Sequence, residues 1–482
     1  MTCSITGDPL ARAHTGPFDL SRPHFVGVGG VAMSGLARLL AASGYQVSGS
    51  DIASSPTLSA LREVGVKTYV RHHASYVEQA TCLVYTTVAQ HTPEVTAART
   101  AGIPVLHRAQ VLNHIAENCR RLIAVAGSHG KSTTSGMVAN ALHQLGMSPS
   151  QLIGADPDRP LSGAQLGKSD LLVAEADESD RSFLFLRPKI ALITNVSDDH
   201  PENFATQADV VSAFKLFVDR VVEGGTVIVN ADDKGATEVA DWAATTRPDL
   251  RIVRYGRADG SEYRILRTTG RGWTLTAEVG MPDGKFVAIS LPTPVVQHMH
   301  NAVAALACAV ALGSGPKAAA QAVSTFRGLR RRFEKIGEVG GVTVIDSYAD
   351  HPNEITADLC AARNLTSGKV LAVFQPSGHQ RVFAFAGTMG EILAARADHV
   401  MLLDVHGTIP PDTPTSDSAL IASRLREGHF TLPIGPGQVA LAVDRLAAPG
   451  DVVITMGTGD VTTYGPTIID QLAAREAVTR TA

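Results

Sequence analysis

The feature that most constrains the fold is the segment 121–136, in which an apolar run leads through a glycine-rich turn into a helix-like stretch. Residues 122–126 are apolar and favour a buried strand. In the turn that follows, Gly127 and Gly130 let backbone N–H groups approach an anion closely. Lys131 can reach the β- and γ-phosphates of a nucleotide, and Ser132 can ligate Mg²⁺ beside them. The segment therefore predicts a phosphate site between a strand and a helix.

The turn is a shortened form of the common phosphate-binding loop, because Val125 stands where that pattern has its first glycine. The tripeptide Gly-Lys-Ser also occurs in ordinary loops. The strand before it and the helix start rich in Ser and Thr after it favour the phosphate site.

Composition restricts the class of protein. The chain has 482 residues, a net charge of −4 and five scattered cysteines. Length predicts about three domains, and the absence of a basic run argues against nucleic acid. The odd cysteine number without a CxxC pair favours reduced thiols. No apolar run is long enough for a membrane span, and no signal peptide is evident. We therefore expect a cytoplasmic protein, as a monomer or a homodimer.

Alternating strand and helix patterns predict an α/β fold with three domains. We expect a Rossmann-like N-terminal domain over 1–119, a central domain of the ATPase type with the phosphate loop over 120–328, and a Rossmann-like C-terminal domain over 329–482. Residues 1–21 are expected to form a loose leader. An alanine-rich helix is predicted over 301–312, and another helix over 208–222.

A second glycine cluster follows the first predicted strand. Gly27, Gly29 and Ala32 fit the looser dinucleotide-binding spacing, with Gly30 in the same turn. Ser50 and Asp51 end the next strand, where a ribose-binding acid would lie. From the residues alone, NAD and any other diphosphate-bearing ligand remain open.

Polar residues follow two strands of the central domain. Glu175 begins the acidic run 175–180 and is a candidate Mg²⁺ ligand, although a solvated acidic loop is the alternative. His200 ends the run 194–200 with Asn195 and Asp199, and a second metal site there is plausible. Lys215 lies on the next helix, where most lysines are simply solvated.

In the third domain, residues 346–352 and 375–381 are polar loops at the ends of predicted strands. Arg331, Arg332 and Arg381 can bind phosphate or carboxylate bidentately, and plain surface exposure is the alternative for each.

Taken together, these motifs resemble the Mur ligases. The resemblance runs from His24 to about Gly459 and rests on an ordered set of segments: 25–35, 127–134, 175–180, 194–200, 300–301, 331–333 and 374–376.

The resemblance implies an ATP-dependent, amide-forming ligase whose first domain binds a uridine diphosphate sugar acid, which decides against NAD. In the branch resembled most, the substrates are UDP-N-acetylmuramate and L-alanine. The carboxylate is first phosphorylated by ATP, and the amino group then attacks the acyl phosphate.

The resemblance also implies roles for individual residues. Asn301 would contact adenine and Asp346 the ribose. Mg²⁺ would lie among Ser132, Glu175 and His200, and a carbamylated Lys215 would help to hold a second ion. The residues expected at the uridine nucleotide are Gly27, Gly29, Gly30, Ser50 and Asp51. Those expected at ATP are Gly127, Ser128, His129, Gly130, Lys131, Ser132, Thr133, Asn301, Arg332 and Asp346. Those expected in catalysis are Lys131, His200, His351 and Arg381.

The third domain departs from the family pattern. Asp350 replaces a histidine, Gly378 and Phe383 replace two arginines, and residues 405–411 replace an expected loop with Gly-Glu. These changes lie where the incoming amino acid should bind. They therefore alter the electrostatic field around the carboxylate of that amino acid. Two alternatives stay open: a paralogue that ligates a different amine, for which Asp350 suggests a cationic one, and a degenerate binding protein.

Overall fold

The computed structural model describes residues 14–155, 163–201, 203–407, 417–432 and 435–481. Three β-sheets follow one another along the chain, with five, ten and six strands among the described residues. The predicted domain limits at 119/120 and 328/329 fall in the intervals between these sheets.

The first sheet is fully parallel, with strand order β3-β2-β1-β4-β5. Its strand order reverses beside β1, and ligands bind at such a switch point in open α/β sheets. The elements are β1 Pro23–Val26, α1 Val31–Ala42, β2 Ser48–Asp51, α2 Pro56–Glu63, β3 Lys67–Val70, β4 Cys82–Tyr85, α3 Pro93–Thr100, β5 Val105–His107 and α4 Arg108–Cys119.

The second sheet has the order β15-β14-β13-β12-β11-β10-β6-β9-β7-β8. Strand β6 lies between β10 and β9 and is parallel to both, so the loops after these three strands meet at one edge. The elements are β6 Arg121–Ala126, α5 Lys131–Gln144, β7 Ser150–Leu152, β8 Ala164–Gln165, β9 Leu171–Glu175, β10 Ile190–Ile193, α6 Gln207–Asp219, β11 Thr226–Asn230, α7 Lys234–Thr246, β12 Arg251–Gly256, β13 Tyr263–Arg271, β14 Thr274–Gly280, β15 Phe286–Leu291, α8 Val296–Ala311 and α9 Pro316–Ser324.

The third sheet has the order β16-β17-β21-β18-β19-β20, and only its pair β16–β17 is antiparallel among the described strands. The loops after β17, β21 and β18 therefore lie side by side. The elements are β16 Glu334–Val339, β17 Val342–Ser347, α10 Pro352–Leu365, β18 Val370–Gln375, α11 His379–Arg396, β19 His399–Leu402, α12 Ala419–Ala422, β20 Phe430–Thr431, α13 Gly435–Leu446, β21 Val452–Gly457 and α14 Tyr464–Thr481.

The expected α/β architecture is confirmed, with differences in detail. Helix α8 begins at Val296, five residues before the predicted start. No side chain caps the helix at its start, so no local sequence signal marked the first turn. The first turn is held instead by the burial of Met299 against the sheet. Helix α6 ends at Asp219, three residues before the predicted end.

The expected loose leader is wrong for its described part. Leu20 is buried, and the rings of Phe18 and His114 lie 5.3 Å apart on the first domain. The carbonyl of His14 accepts a hydrogen bond from Gln110. Phe18 and Leu20 show no helix or strand periodicity, so no sequence pattern predicted that they pack against the first domain. Residues 1–13 lie outside the described part of the chain, as do residues 408–411 of the altered loop.

No helix among the described residues is long and apolar enough to cross a membrane.

Candidate functional site

The phosphate loop has the backbone that its glycines predict. Gly127 has φ +138° and Gly130 has φ +81°, a region that side chains other than glycine rarely adopt. A Cβ on Gly127 would lie 2.0 Å from Thr194 Oγ1, and one on Gly130 would lie 3.2 Å from Asn301 Oδ1. The loop is therefore packed tightly between the end of β10 and helix α8.

The loop after β10 holds the phosphate loop in place. Asn195 accepts a hydrogen bond from the backbone N–H of His129 and donates one to its carbonyl. Thr194 also donates to that carbonyl, and the Ser128 hydroxyl donates to the carbonyl of Ser197. The turn is preorganised by these bonds and leads into α5 with free helix N–H groups at its start.

Lys131 is folded back on its own loop. Its Nζ donates to the carbonyls of Gly127 at 2.7 Å and Ser128 at 3.2 Å, and to Glu178 Oε1 at 2.8 Å. Burial opposes the charged ammonium, but the neighbouring carboxylates of Glu178 and Asp177 outweigh it and raise the pKa of Lys131. The lysine is therefore a fixed positive charge beside the turn.

Ser132, Glu175 and His200, the predicted metal ligands, all line one cleft. The Ser132 hydroxyl accepts a hydrogen bond from Arg332 Nη2 at 3.0 Å. Glu175 accepts the N–H of Gly154. His200 Nε2 lies between two further carboxylates, 3.7 Å from Glu178 Oε1 and 3.6 Å from Asp199 Oδ2.

The oxygens of Ser132 and Glu175 are hard donors of the kind that Mg²⁺ prefers, and His200 adds a ring nitrogen. Beside this set, the buried Oε2 of Glu178 has no hydrogen-bond partner in this structure. Within the described residues, no three His, Cys, Asp or Glu side chains form a cluster that could hold a metal alone. A cation here would complete its shell with phosphate and water, which is the usual habit of Mg²⁺.

A cavity of about 260 Å³ adjoins the phosphate loop. Five of the residues predicted at ATP line it together: His129, Gly130, Thr133, Asn301 and Arg332. Most of its lining residues are polar, with Val295 and Phe333 among the apolar ones, and the cavity has room for a planar base beside its phosphates.

The polar loops of the third domain converge on Asp350. Its Oδ2 accepts hydrogen bonds from Ser377, from Thr458 at 3.2 Å and from Arg381 Nη1 at 2.9 Å. Arg381 Nη2 reaches Asp199 Oδ1 of the second domain at 3.1 Å. Burial raises the pKa of Asp350, and the charge of Arg381 opposes that rise.

The other two replaced positions differ from Asp350. Gly378 precedes α11 with φ +72°, and Phe383 is 59% exposed. Neither residue is among those that line the cleft.

Two histidines meet where the second and third domains touch. The rings of His129 and His351 lie 4.4 Å apart, and His129 Nδ1 lies 3.6 Å from Glu354 Oε1. Burial alone would raise the pKa of Glu354, but His129 lowers it to about 2. His351 also caps α10, because its Nδ1 accepts the N–H of Asn353, and burial lowers its pKa to about 4.

The glycine turn of the first domain opens α1. Gly27 has φ +76°, and its carbonyl accepts the N–H of Gly30. The N–H of Gly29 donates to Asp51 Oδ2 at 2.8 Å, so Asp51 holds the turn directly. The start of α1 lines the same cleft as the phosphate loop.

Ser50, predicted at the uridine nucleotide, turns its side chain away from the glycine turn. Its side chain is fully buried and donates to Glu94 Oε1, which also lies 3.0 Å from His72 Nδ1. Strand alternation turns Ser50 into the domain while Asp51 faces the glycine turn.

Lys215 and Asp346 also lie outside both cavities in this structure. Lys215 lies on the side of α6 that faces α7, where it pairs with Glu238 at 2.7 Å, and it does not line the cleft. Asp346 is buried and binds Arg331, and it also accepts hydrogen bonds from Thr455 and Thr462. These three partners occupy its carboxylate, and it lines neither cavity.

Several residues of the site were not predicted. Glu178 belongs to the acidic run 175–180 after β9. Nothing in the sequence favoured it over Glu175 as the acid of the site. Glu354 was recognisable only as an acid in the first turn of α10. Arg108 donates to Asp177 and Asp180 from the first domain, and no motif pointed to it.

All three domains contribute to the main cleft, whose volume is about 680 Å³. Its lining includes Val31, Ala32, Arg108, Gly130, Lys131, Ser132, Glu175, Asp199, His200, Arg331, Arg332, Asp350 and Arg381. A cleft of this kind can hold an extended, phosphate-bearing ligand between the glycine turn at the start of α1 and the phosphate loop.

Family models match nearly the whole chain. The Mur ligase catalytic domain matches residues 22–120, the Mur ligase middle domain 125–309, and the glutamate ligase domain of Mur ligases 331–459. The UDP-N-acetylmuramate–L-alanine ligase of Streptomyces griseus is 41% identical over 95% of this chain and 98% of its own. The Thermobifida fusca protein of that name is 39% identical over 94% and 97%.

Solved structures share the fold. The UDP-N-acetylmuramate–alanine ligase of Thermotoga maritima superposes with a TM-score of 0.79 at 24% identity, over 94% of this chain and 99% of that one. A murein peptide ligase from Psychrobacter arcticus gives 0.70 at 23% identity, over 94% and 99%. Because three family models match in order and the named relatives are 39% and 41% identical, the chain belongs to the Mur ligase family.

Proposed function

We propose that the protein is an ATP-dependent ligase that joins L-alanine to the carboxylate of UDP-N-acetylmuramate, a step in making peptidoglycan precursors. The relatives named for this reaction support the substrates. The observation that carries the proposal is the position of Lys131 and Ser132 in a cleft lined by all three domains.

The first domain would bind the uridine diphosphate. Gly27, Gly29 and Gly30 form a turn at the start of α1, where helix N–H groups favour a diphosphate. Asp51 fixes the turn through the N–H of Gly29. The sugar acid would then extend along the cleft toward the phosphate loop.

The chemistry requires activation of a poor acyl donor. A carboxylate oxygen attacks the γ-phosphorus of ATP, the bond to the β,γ-bridging oxygen breaks, and ADP leaves. Lys131 would stabilise the charge that develops on the transferred phosphoryl group, because it is a fixed cation beside the turn. The amine nitrogen then attacks the acyl carbon, the bond to phosphate oxygen breaks, and the ammonium proton is released.

Ser132, Glu175 and His200 would hold Mg²⁺ beside the phosphates. When bound, the ion supplies positive charge to the phosphate oxygens during transfer. The three residues would hold and orient the ion, and Arg332 adds a further cation next to Ser132.

Closure of the cleft would protect the acyl phosphate from water. Contacts between the second and third domains already exist at His129 with Glu354 and at Arg381 with Asp199. These contacts would keep the third domain over the phosphate loop.

The second candidate function is ligation of a different amine to the same donor. Asp350 favours this candidate. It stands where the family pattern has a histidine, and it accepts a hydrogen bond from Arg381, so Arg381 is paired with a carboxylate.

The test is phosphate release with ATP, Mg²⁺, UDP-N-acetylmuramate and a panel of amino acids. Turnover specific for L-alanine supports the first candidate, and turnover with another amine supports the second. Binding of ATP without turnover would indicate a degenerate binding protein. Lys131→Ala should lower kcat by about 100-fold to 1,000-fold and keep uridine-nucleotide binding intact. Unchanged kcat would refute the role of Lys131.

A further inference from the structure

Arg108 of the first domain is hydrogen-bonded to the acidic turn of the second domain. It is the first residue of α4, and 15% of its side chain is exposed. Its Nη2 donates to Asp177 Oδ2 at 2.7 Å, to Asp180 Oδ2 at 3.3 Å and to Ser182 Oγ at 3.2 Å. One guanidinium therefore holds the turn 177–182 along its whole length.

Asp177 interacts with Lys131 as well as with Arg108. All three residues line the main cleft. Burial opposes the charged form of Asp177, but the charges of Arg108 and Lys131 outweigh it and lower the pKa of that carboxyl. Arg108 is hydrogen-bonded to this carboxylate, whereas the ammonium of Lys131 is hydrogen-bonded to Glu178. Each of the two cations therefore has a different acid as its hydrogen-bond partner.

Asp180 is held by other residues of the first domain too. Its Oδ2 accepts the Thr87 hydroxyl at 3.1 Å and lies 3.5 Å from His107 Nε2. These contacts do not involve Arg108, so a neutral side chain at position 108 leaves them in place. Such a substitution removes a charge from the turn and keeps the turn attached to the first domain.

The charge beside the phosphate loop depends on Arg108. Arg108, Asp177 and Asp180 make one cation against two anions. Without the guanidinium two anions remain, and the Asp177 carboxylate can turn toward the ammonium of Lys131. Nucleotide phosphates would then meet a more negative loop, whose lysine has a second carboxylate to pair with. The other charged or titratable groups around the loop stay the same in this comparison: Glu175, Glu178, His200, Arg330, Arg331 and Arg332.

We propose that Arg108 is a positioning residue for ATP: it holds the Asp177 carboxylate away from Lys131 and so keeps the lysine available to the nucleotide phosphates. The inference rests on the proposed function, which puts ATP at the phosphate loop. It adds to that function a residue of the first domain, so that the contact between the first and second domains sets the affinity for ATP.

Binding of ATP with Mg²⁺ to the full-length protein tests the proposal. Titration calorimetry without the sugar acid and without an amino acid measures Kd in the absence of turnover. Arg108→Met keeps an unbranched side chain and removes the charge, so Kd for ATP should rise by about tenfold. Arg121→Met is the matched control, because Arg121 pairs with Asp170 and does not line the cleft. Its Kd should stay within about twofold of wild type, since exposed charges far from the loop are screened.

Asp177→Asn separates the charge of Asp177 from any other role of Arg108. Asparagine can still accept the N–H of Ser179, as Asp177 Oδ1 does. In the Asp177→Asn background, Arg108→Met should raise Kd for ATP by less than about threefold, because the carboxylate that Arg108 restrains is gone. A tenfold loss in both backgrounds would mean that Arg108 acts on the nucleotide directly or through packing, and the proposal would be wrong.

Arg108→Lys keeps the proposal testable if Arg108→Met fails to fold, which circular dichroism and thermal denaturation would show. The three hydrogen bonds of Arg108 leave from one nitrogen, and an ammonium with three donors can replace it. Kd for ATP should therefore stay within about threefold of wild type in Arg108→Lys. A loss of about tenfold or more in this variant, in spite of its charge, would overturn the proposal.

The same titrations separate this inference from the proposed function. If the wild type binds ATP and Arg108→Met binds it as tightly as Arg121→Met does, only the role of Arg108 is overturned. If the wild type does not bind ATP, the proposed function fails, and the role of Arg108 fails with it.

Discussion

Lys131 Nζ lies 2.8 Å from Glu178 Oε1, and the two side chains form an ion pair beneath the phosphate loop. Glu178 is buried, and two backbone carbonyls complete the surroundings of the ammonium. The lysine that would bind phosphate is therefore neutralised by a carboxylate, and nucleotide phosphates must compete with Glu178 for it.

Glu178→Gln should expose that competition. Loss of the buried counter-charge should lower the free energy of unfolding without nucleotide by about 3 kcal/mol. ATP with Mg²⁺ should then raise the melting temperature more in the variant than in the wild type, because the phosphates replace the missing charge. Thermal denaturation with and without nucleotide measures both effects. An equal nucleotide-induced shift would contradict the competition.

Gly127→Ala should be severely destabilising. The new Cβ would lie 2.0 Å from Thr194 Oγ1 at a backbone φ of +138°. Gly146→Ala is the matched control, since it has φ +76° and nothing within 4 Å of the added atom. We expect the control to cost about 1 to 2 kcal/mol from backbone strain alone. Gly127→Ala should cost clearly more and abolish ATP binding in denaturation and calorimetry experiments.

Stability should fall as pH decreases from about 6.5 to about 4 because His351 is buried in its neutral form. Its pKa is lowered from 6.5 to about 4, so the unfolded chain binds the proton first and gains stability in that window. His351→Asn retains a good helix N-cap and removes the titration. Chemical denaturation at several pH values should show a dependence weaker by about 2 to 3 kcal/mol in the variant. Identical pH profiles would argue against a neutral, buried His351.

Glu175→Gln should raise the Mg²⁺ concentration needed for turnover by about tenfold or more, because a neutral amide is a weaker ligand for a hard cation than a carboxylate. Titration of initial rates with Mg²⁺ measures this change, and chelation should abolish turnover in the wild type. Lys215→Gln is the control, since Lys215 pairs with Glu238 outside the cleft. An equal Mg²⁺ requirement in wild type and Glu175→Gln would remove Glu175 from the metal site.

Local sequence pattern predicted several of the residues that the structure brings together in the main cleft. Residues 122–131 predict a strand, a tight glycine turn and the start of a helix, and the structure has these elements in that order. Strand-end positions likewise brought Glu175, Asn195, His200 and Arg381 to the same region, since parallel strands present their carboxyl ends at one edge. Position along a motif did not fix side-chain direction: Ser50, Lys215 and Asp346 belong to motifs yet point elsewhere.

The amino-acid sequence by itself determined the family, the order of three α/β domains and the phosphate loop, because periodicity, glycine positions and the Gly-Lys-Ser turn act over a few residues. Only the tertiary structure decided which charges face one another. Glu178 lies 47 residues from Lys131, and Asp199 lies 182 residues from Arg381. Electrostatic interactions depend on distance in space and on burial, and neither can be read along a chain.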